Sequence, residues 1–297
     1  MMNKLFEGKL TILILYDSDS IWALNWSRGN LLTGSLDGSV KYWSNSLGLT
    51  SSGISHKIGV TSVVSSKDGS IGVASYQDGT IRLLNLPDLS EISVIEAGVL
   101  EAWTVCLSPS DDVLVSGSHH GSVNIWSMQA GHEKVATLQA SDKLILGTSF
   151  SSDYKLATSG VEGMLHVFDM NTQQIVHKVD AHGLATRSVV FSPDGNLIYS
   201  ASDDRHVCVF DTNSGSIINS FSQSGMAFSV DASPDGRSFA VGCGDHSVSV
   251  WDLGMQRRVH SFEQHSDCVW GVKYDPQDGL GKRFASVGDD ALLQVYE

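Results

Sequence analysis

No apolar run in this chain exceeds seven residues, and the longest, Leu10 to Tyr16, contains Thr11. It is too short to span a bilayer and lacks the layout of a secretion signal. Cysteine is scarce. Cys106, Cys208, Cys243 and Cys268 are scattered, form no CxxC pair, and three of them fall inside strand-like segments. That usage fits buried thiols in a reducing compartment rather than a disulfide or cysteine–metal framework. Basic residues are few: 19 Lys and Arg against 33 Asp and Glu leave a formal charge of −14. So negative a surface repels phosphate backbones and argues against direct nucleic-acid binding, while its field favours a basic or arginine-bearing peptide. The chain also has no GxSxG elbow, no GxxxxGK[ST] loop and no HExxH pair, so no familiar nucleophile, phosphate or zinc signature is present.

What is present is repetition. Trp43, Leu84, Trp126, Phe168, Phe210, Trp251 and Tyr296 follow one another at spacings of 41, 42, 42, 42, 41 and 45 residues. This is the period of WD repeats, in which each unit is one four-stranded propeller blade. An end-to-end period leaves no room for a domain boundary, so residues 1–297 are expected to form a single all-β, seven-bladed propeller. The blades run over about 17–50, 56–94, 97–138, 141–179, 181–221, 224–262 and 265–297. Blade five shows the unit: an inner strand from Thr186 to Phe191, the turn Ser192-Pro193-Asp194-Gly195, a second strand from Leu197 to Ser202, and a third from His206 to Phe210. Proline presets φ at the first turn position and glycine accepts positive φ, so Pro-Asp-Gly has a physical reason to sit between strands. The seventh blade runs out of chain after three strands. The segment 9–16 is the one unassigned strand-like piece, and adding it as the outer strand would close the ring and remove an open sheet edge.

Six residues before each marker lies a turn residue: Asp37, Asp78, His120, Glu162, Asp204, Asp245 and Asp290. In WD repeats a carboxylate here caps turn amides and accepts a hydrogen bond from a histidine at the start of the blade, which links toward the Trp of the third strand. His56, His182 and His265 are the histidines in position. No blade combines His, Asp and Trp, so a degenerate polar network is expected throughout, with packing carrying more of the stability. The adjacent pairs Asp111-Asp112, Asp203-Asp204 and Asp289-Asp290 all fall in turns, where neighbouring side chains diverge, and read as turn caps rather than acid–base dyads. His119-His120 has no further ligand at metal-binding spacing, so neither a metal nor a cofactor is expected.

Aligning the inner strands puts Trp22, Thr61, Trp103, Leu146, Arg187, Phe228 and Trp270 at one equivalent position near the mouth of the central channel. Large aromatics at four of the seven suggest a solvent-facing rim rather than channel filling. The residue before each turn position shares this face and includes Asp203 and Asp289. Aromatic faces beside carboxylates suit an arginine side chain, which stacks on rings while donating paired hydrogen bonds.

Several segments then take the resemblance further. These are Gly34-Ser35-Leu36-Asp37-Gly38-Ser39-Val40-Lys41-Tyr42-Trp43, Ala102-Trp103-Thr104 with Leu107-Ser108-Pro109-Ser110-Asp111, Arg187-Ser188-Val189-Val190-Phe191-Ser192-Pro193-Asp194, and Trp270-Gly271-Val272-Lys273-Tyr274 with Gly288-Asp289-Asp290. Together they resemble the propeller subunit of the superkiller complex. The resemblance implies a non-enzymatic subunit that joins a tetratricopeptide scaffold and a helicase in cytoplasmic RNA decay by the exosome. It also implies a nuclear share, since the similar animal and plant protein joins the polymerase-associated factor complex in transcription elongation. That family binds a Gln-Arg-x-x-aromatic motif on the top face, and the matching positions here are Trp103, Asp203, Phe228, Trp270 and Asp289. This chain departs from the pattern in blade one, with Asp17 at the expected histidine, and in blade two, with Leu84-Asn85 for Trp-Asp. Two other classes stay open: a different WD adaptor reading arginine peptides in chromatin or ubiquitin-ligase assembly, and a propeller hydrolase or lyase with ionisable residues clustered in the channel.

Overall fold

A computed structural model describes residues 10–15, 18–53, 56–129 and 131–297; Lys9, Tyr16 and Asp17 lie outside the described residues. Within them the chain forms seven four-stranded antiparallel sheets, and no helix is long and apolar enough to cross a membrane. Six sheets take their strands in sequence order. The seventh pairs Leu10–Leu15 with Leu292–Tyr296, running from Leu10 opposite Tyr296 to Leu15 opposite Leu292, so the start of the chain supplies the outer strand of the last blade.

Alternation along each strand sends successive side chains to opposite faces of a blade, and in a propeller both faces meet a neighbouring blade. The buried apolar side chains accordingly fall into seven clusters, one per seam. Ile21, Leu24, Trp26, Leu31 and Trp43 meet Ala285, Val287, Leu293 and Val295 between blades one and seven, and Val167, Phe210, Val189 and Phe191 meet between four and five. Each periodic marker packs back onto the preceding blade, which explains why a large side chain recurs there while its chemistry varies. The inner strands are also stitched sideways. Ser229 Oγ accepts from Val272 N at 3.1 Å, Ser149 Oγ from Phe191 N at 3.3 Å, and Asn25 Oδ1 from Ser65 N at 3.2 Å.

The expectation of a polar network degenerate in every blade is corrected. In blade five, His182 Nδ1 meets Asp204 Oδ2 at 2.9 Å and Nε2 meets Ser200 Oγ at 2.7 Å. Blade seven repeats this with His265, Asp290 and Ser286 at 2.8 and 2.7 Å, and Ser286 Oγ continues to Tyr296 OH at 3.2 Å. A second-strand serine is the relay, so the network survives without tryptophan. In blade six a buried glutamine stands in for the histidine: Gln223 Oε1 accepts from Ser249 Oγ and from Trp251 Nε1 at 2.9 and 3.1 Å. In blade one Ser18 Oγ donates to Asp37 at 2.7 Å; burial works to raise that carboxyl, but hydrogen bonds from Ser39 and Ser18 outweigh it and hold it at about 2. Asp78 caps Thr80, Asp245 caps Ser247, and the ring of His56 lies edge-on to Tyr76 at 5.2 Å.

Of the adjacent carboxylates, the second of each pair is a local cap, Asp112, Asp204 and Asp290, whereas the first is not: Asp111 reaches a neighbouring blade, and Asp203 and Asp289 face the mouth. Asp112 accepts from Ser108 Oγ and Ser110 Oγ, both at 2.6 Å, and Asp111 accepts from Lys67 N at 2.8 Å. All four thiols are free, three of them buried, and burial pushes those of Cys106 and Cys243 up to about 12.

Candidate functional site

A β-bulge makes the site. The inner strand slips by one residue against the second strand between Ile21 and Ala23, Val60 and Ser62, Ile145 and Gly147, Thr186 and Ser188, Ala227 and Ser229, and Val269 and Gly271. The unpaired residues are Trp22, Thr61, Leu146, Arg187, Phe228 and Trp270. A bulge breaks the two-residue alternation and re-aims the extra side chain. Trp22, Arg187, Phe228 and Trp270 accordingly meet at one end of the channel, while Thr61 bonds to Ser75 Oγ at 2.9 Å on its own blade. Trp103 reaches the same place by another route, immediately ahead of the strand Thr104–Leu107, with its N–H donated to Gly117 O at 2.8 Å.

The residue before each turn position closes the frame. Leu36, Gln77, His119, Val161, Asp203, Gly244 and Asp289 each donate a backbone N–H to a carbonyl just before the inner strand, those of Ser20, Gly59, Leu100, Leu144, Ala185, Met226 and Cys268. In three blades the structure shows the mouth side chain and this residue against each other. Trp103 meets His119 edge-on at 5.3 Å, Arg187 pairs with Asp203, and the Phe228 ring lies so close to Gly244 that a Cβ there would stand 3.0 Å from it. A side chain at 244 would press on that ring and oblige it to shift by a few tenths of an ångström, whereas the backbone there has no need of glycine.

Across the mouth the rings form a continuous arc. Trp103 lies 6.2 Å from Trp22, Trp22 5.4 Å from Trp270, and Trp270 stacks on Phe228 at 4.5 Å with 10° between planes. The guanidinium carbon of Arg187 sits 5.0 Å from the Phe228 centroid and 5.6 Å from that of Trp270. Side chains from blades three, one, seven, six and five thus touch in sequence. All of them remain half-buried, so the arc is both a plug and a surface. The indole Nε1 atoms of Trp22 and Trp270 are buried without a hydrogen-bond partner.

The structure redistributes the acidic half of the expected pocket. Asp203 is already engaged: Arg187 Nε donates to Oδ1 at 2.6 Å and its terminal nitrogen to Oδ2 at 2.9 Å. Two residues read from the sequence as partner contacts satisfy each other, because the bulge points Arg187 at its own blade's aspartate. Asp289 is different. Its carboxylate makes no hydrogen bond or ion pair with any described residue. Asp267, which the sequence reading passed over, stands beside it: an oxygen from each and the Cys268 sulfur lie within 4.8 Å of one another. Asp267 precedes the blade-seven inner strand by two residues, a position that carries no residue signature in a single chain. Leu146 lines the channel.

Exposed apolar side chains ring the same face. Val99, Leu100, Leu184 and Met226 occupy the loops leading into inner strands, and Val161 lies in a turn; Val99 is 72 % exposed and Leu184 54 %. Below the aromatic arc, the channel holds about 510 Å³ lined largely by hydroxyls and backbone, including Ser62, Thr104, Thr148 and Ser188. Of the basic residues that line it, Arg187 and Lys273 are each held by a carboxylate, Asp203 and Asp231, the latter at 2.8 Å, and Lys67 is the third.

Comparison with known proteins agrees with this architecture. The family model for the WD domain, G-beta repeat, matches residues 10–44, 49–85, 96–127, 173–211, 215–252 and 256–297. The gap covers most of blade four, where Glu162 and Phe168 replace the turn aspartate and the tryptophan. The chain is 32% identical over 291 residues to the WD repeat-containing protein SL1-17 of Schistosoma mansoni, covering 94% of this chain and 95% of that one. It is 33% identical to the WD repeat-containing protein VIP3 of Arabidopsis thaliana over 61% of this chain and 64% of that one. To the meiotic recombination protein rec14 of Schizosaccharomyces pombe it is 26% identical, over 66% and 67%. Propellers of this kind typically present rigid surfaces to other proteins rather than perform chemistry. With seven blades observed, six of them matched by one repeat model and a relative similar along nearly its whole length, the chain belongs to the WD-repeat family of β-propellers.

Proposed function

We propose that this chain is a non-catalytic interaction scaffold that binds an arginine- and aromatic-containing peptide across the mouth of its channel. We further propose that it serves as the propeller subunit of a superkiller-type complex. The observation that carries the reading is the blade-seven frame: Trp270 is bulged into the aromatic arc, and Asp289 occupies the position that faces the mouth side chain in blades three, five and six while making no ion pair with any described residue. A partner arginine placed there can stack on a ring face and donate to Asp289, with Asp267 adding negative potential. An aromatic side chain three residues on finds Trp22, Trp103, Val99 and Leu100 as its anchor. The bridging role to a tetratricopeptide protein and a helicase, in cytoplasmic RNA decay with a nuclear share in transcription elongation, follows from the sequence resemblance.

A different WD adaptor reading arginine peptides in chromatin or ubiquitin-ligase assembly would use the same face. Affinity purification of the tagged protein and of Trp270→Ala, followed by mass spectrometry, separates the two. The superkiller-type reading expects a tetratricopeptide protein and a helicase with the wild type and their loss with the variant. Recovery of chromatin or ubiquitin-ligase subunits in their place would contradict it.

A further inference from the structure

The repeated frame allows one blade to be read against another. In blade five Thr186 pairs with Ser202, Arg187 is bulged, and Asp203 donates its N–H to Ala185 O. In blade seven Val269 pairs with Gly288, Trp270 is bulged, and Asp289 donates to Cys268 O. The backbone frames match, yet one aspartate is held by a guanidinium and the other has none. The blade-five arrangement already displays a seated guanidinium, with two parallel hydrogen bonds to a carboxylate and two aromatic rings within 6 Å of its carbon.

We propose that Arg187 is a resident occupant of a guanidinium site formed by Asp203, Phe228 and Trp270. It closes that site to a partner and leaves Asp289 as the seat for the partner's arginine. The first half stands on geometry alone; the second rests on the reading of the mouth as a peptide-binding face. A resident arginine also sets selectivity, because the mouth then offers one open carboxylate seat rather than two, and a ligand with a single arginine fills it.

Arg187→Ala empties the site while keeping Asp203 and the stacked rings, and ethylguanidinium is the probe. Thermal melting of Arg187→Ala should fall below that of the wild type and be partly restored by millimolar ethylguanidinium. Ethylammonium, which has the charge but not the planar fork, should restore less, and the double variant Arg187→Ala/Asp203→Asn should gain nothing. If Arg187→Ala does not fold, Arg187→Lys, whose own ammonium still fills the site, should melt below the wild type because it cannot form the two-bond pair, and an unchanged melting temperature would overturn resident occupancy. Equal effects of the two cations, or an equal gain by the wild type, would overturn resident occupancy.

A peptide titration tests the second half. In the wild-type background Asp289→Asn should weaken binding about tenfold, the loss expected of one charge-assisted pair, while Asp203→Asn leaves it nearly unchanged. Equal losses from both would overturn the assignment while leaving the mouth as the binding face. A peptide bound equally by wild type and by Trp270→Ala would instead count against the peptide reading, with the melting result intact.

Discussion

His166 is buried on the third strand of blade four, opposite Thr158, and neither His166 Nε2 nor Thr158 Oγ1 has a hydrogen-bond partner. Burial disfavours the charged ring and Lys178 repels it, so its pKa falls to about 4 from an ordinary 6.5. The sign follows from proton counting. Between 6.5 and 4 the unfolded chain holds the proton and the native chain does not, so stability is lost as pH falls through this window. Burial also lowers His182 and His56, which act in the same direction. Replacing His166 with Val removes one titrating group and an unpaired polar atom together. The difference in unfolding free energy between neutral and mildly acidic buffer should shrink by roughly 1–2 kcal/mol, as read by urea titration at the two pH values. An unchanged difference would mean that His166 is protonated in the folded protein. These two unpaired atoms lie in the blade that the family model leaves unmatched. They could not be found from the sequence, where His166 is one more residue in an apolar strand.

Strands and turns were legible wherever local chemistry decides them. Pro-Asp-Gly in blades five and six, the periodic markers and the apolar 10–15 segment all appear in the structure as turns, seams and the closing strand. The bulge was not legible, because it is a relation between two strands and leaves no mark on either alone. Sequence alignment could therefore gather Trp22, Phe228 and Trp270 on one rim, but not see that Arg187 would turn onto Asp203. The same limit hid the serine relays of blades five and seven and the glutamine of blade six. The closing strand carries its own test. Deleting the first sixteen residues removes the partner of Leu292–Tyr296 and opens the ring at a seam that holds Trp26, Trp43 and Val295. The whole propeller should melt at lower temperature and gain aggregation at the exposed edge. A calorimetric transition at the wild-type temperature would show that closure does not depend on this strand.

For the molecule as a whole, stability and recognition are separated by layer. Seven apolar seams and the ring of stitched inner strands hold the scaffold, while the bulged positions at the mouth are free to vary from threonine to tryptophan without disturbing a seam. The net charge of −14 adds long-range attraction for a basic ligand, which should speed association and weaken with salt. The central claim is that partners bind on the aromatic arc through Trp270 and Asp289. Isothermal titration with a Gln-Arg-x-x-aromatic peptide against wild type, Trp270→Ala and Asp289→Asn tests it most directly. The account predicts a loss of at least ~2 kcal/mol for Trp270→Ala, the usual scale of a central aromatic hot spot. For Asp289→Asn it predicts weaker binding with a shallower salt dependence. Equal affinity of all three proteins at every salt concentration would place the binding surface elsewhere on the propeller.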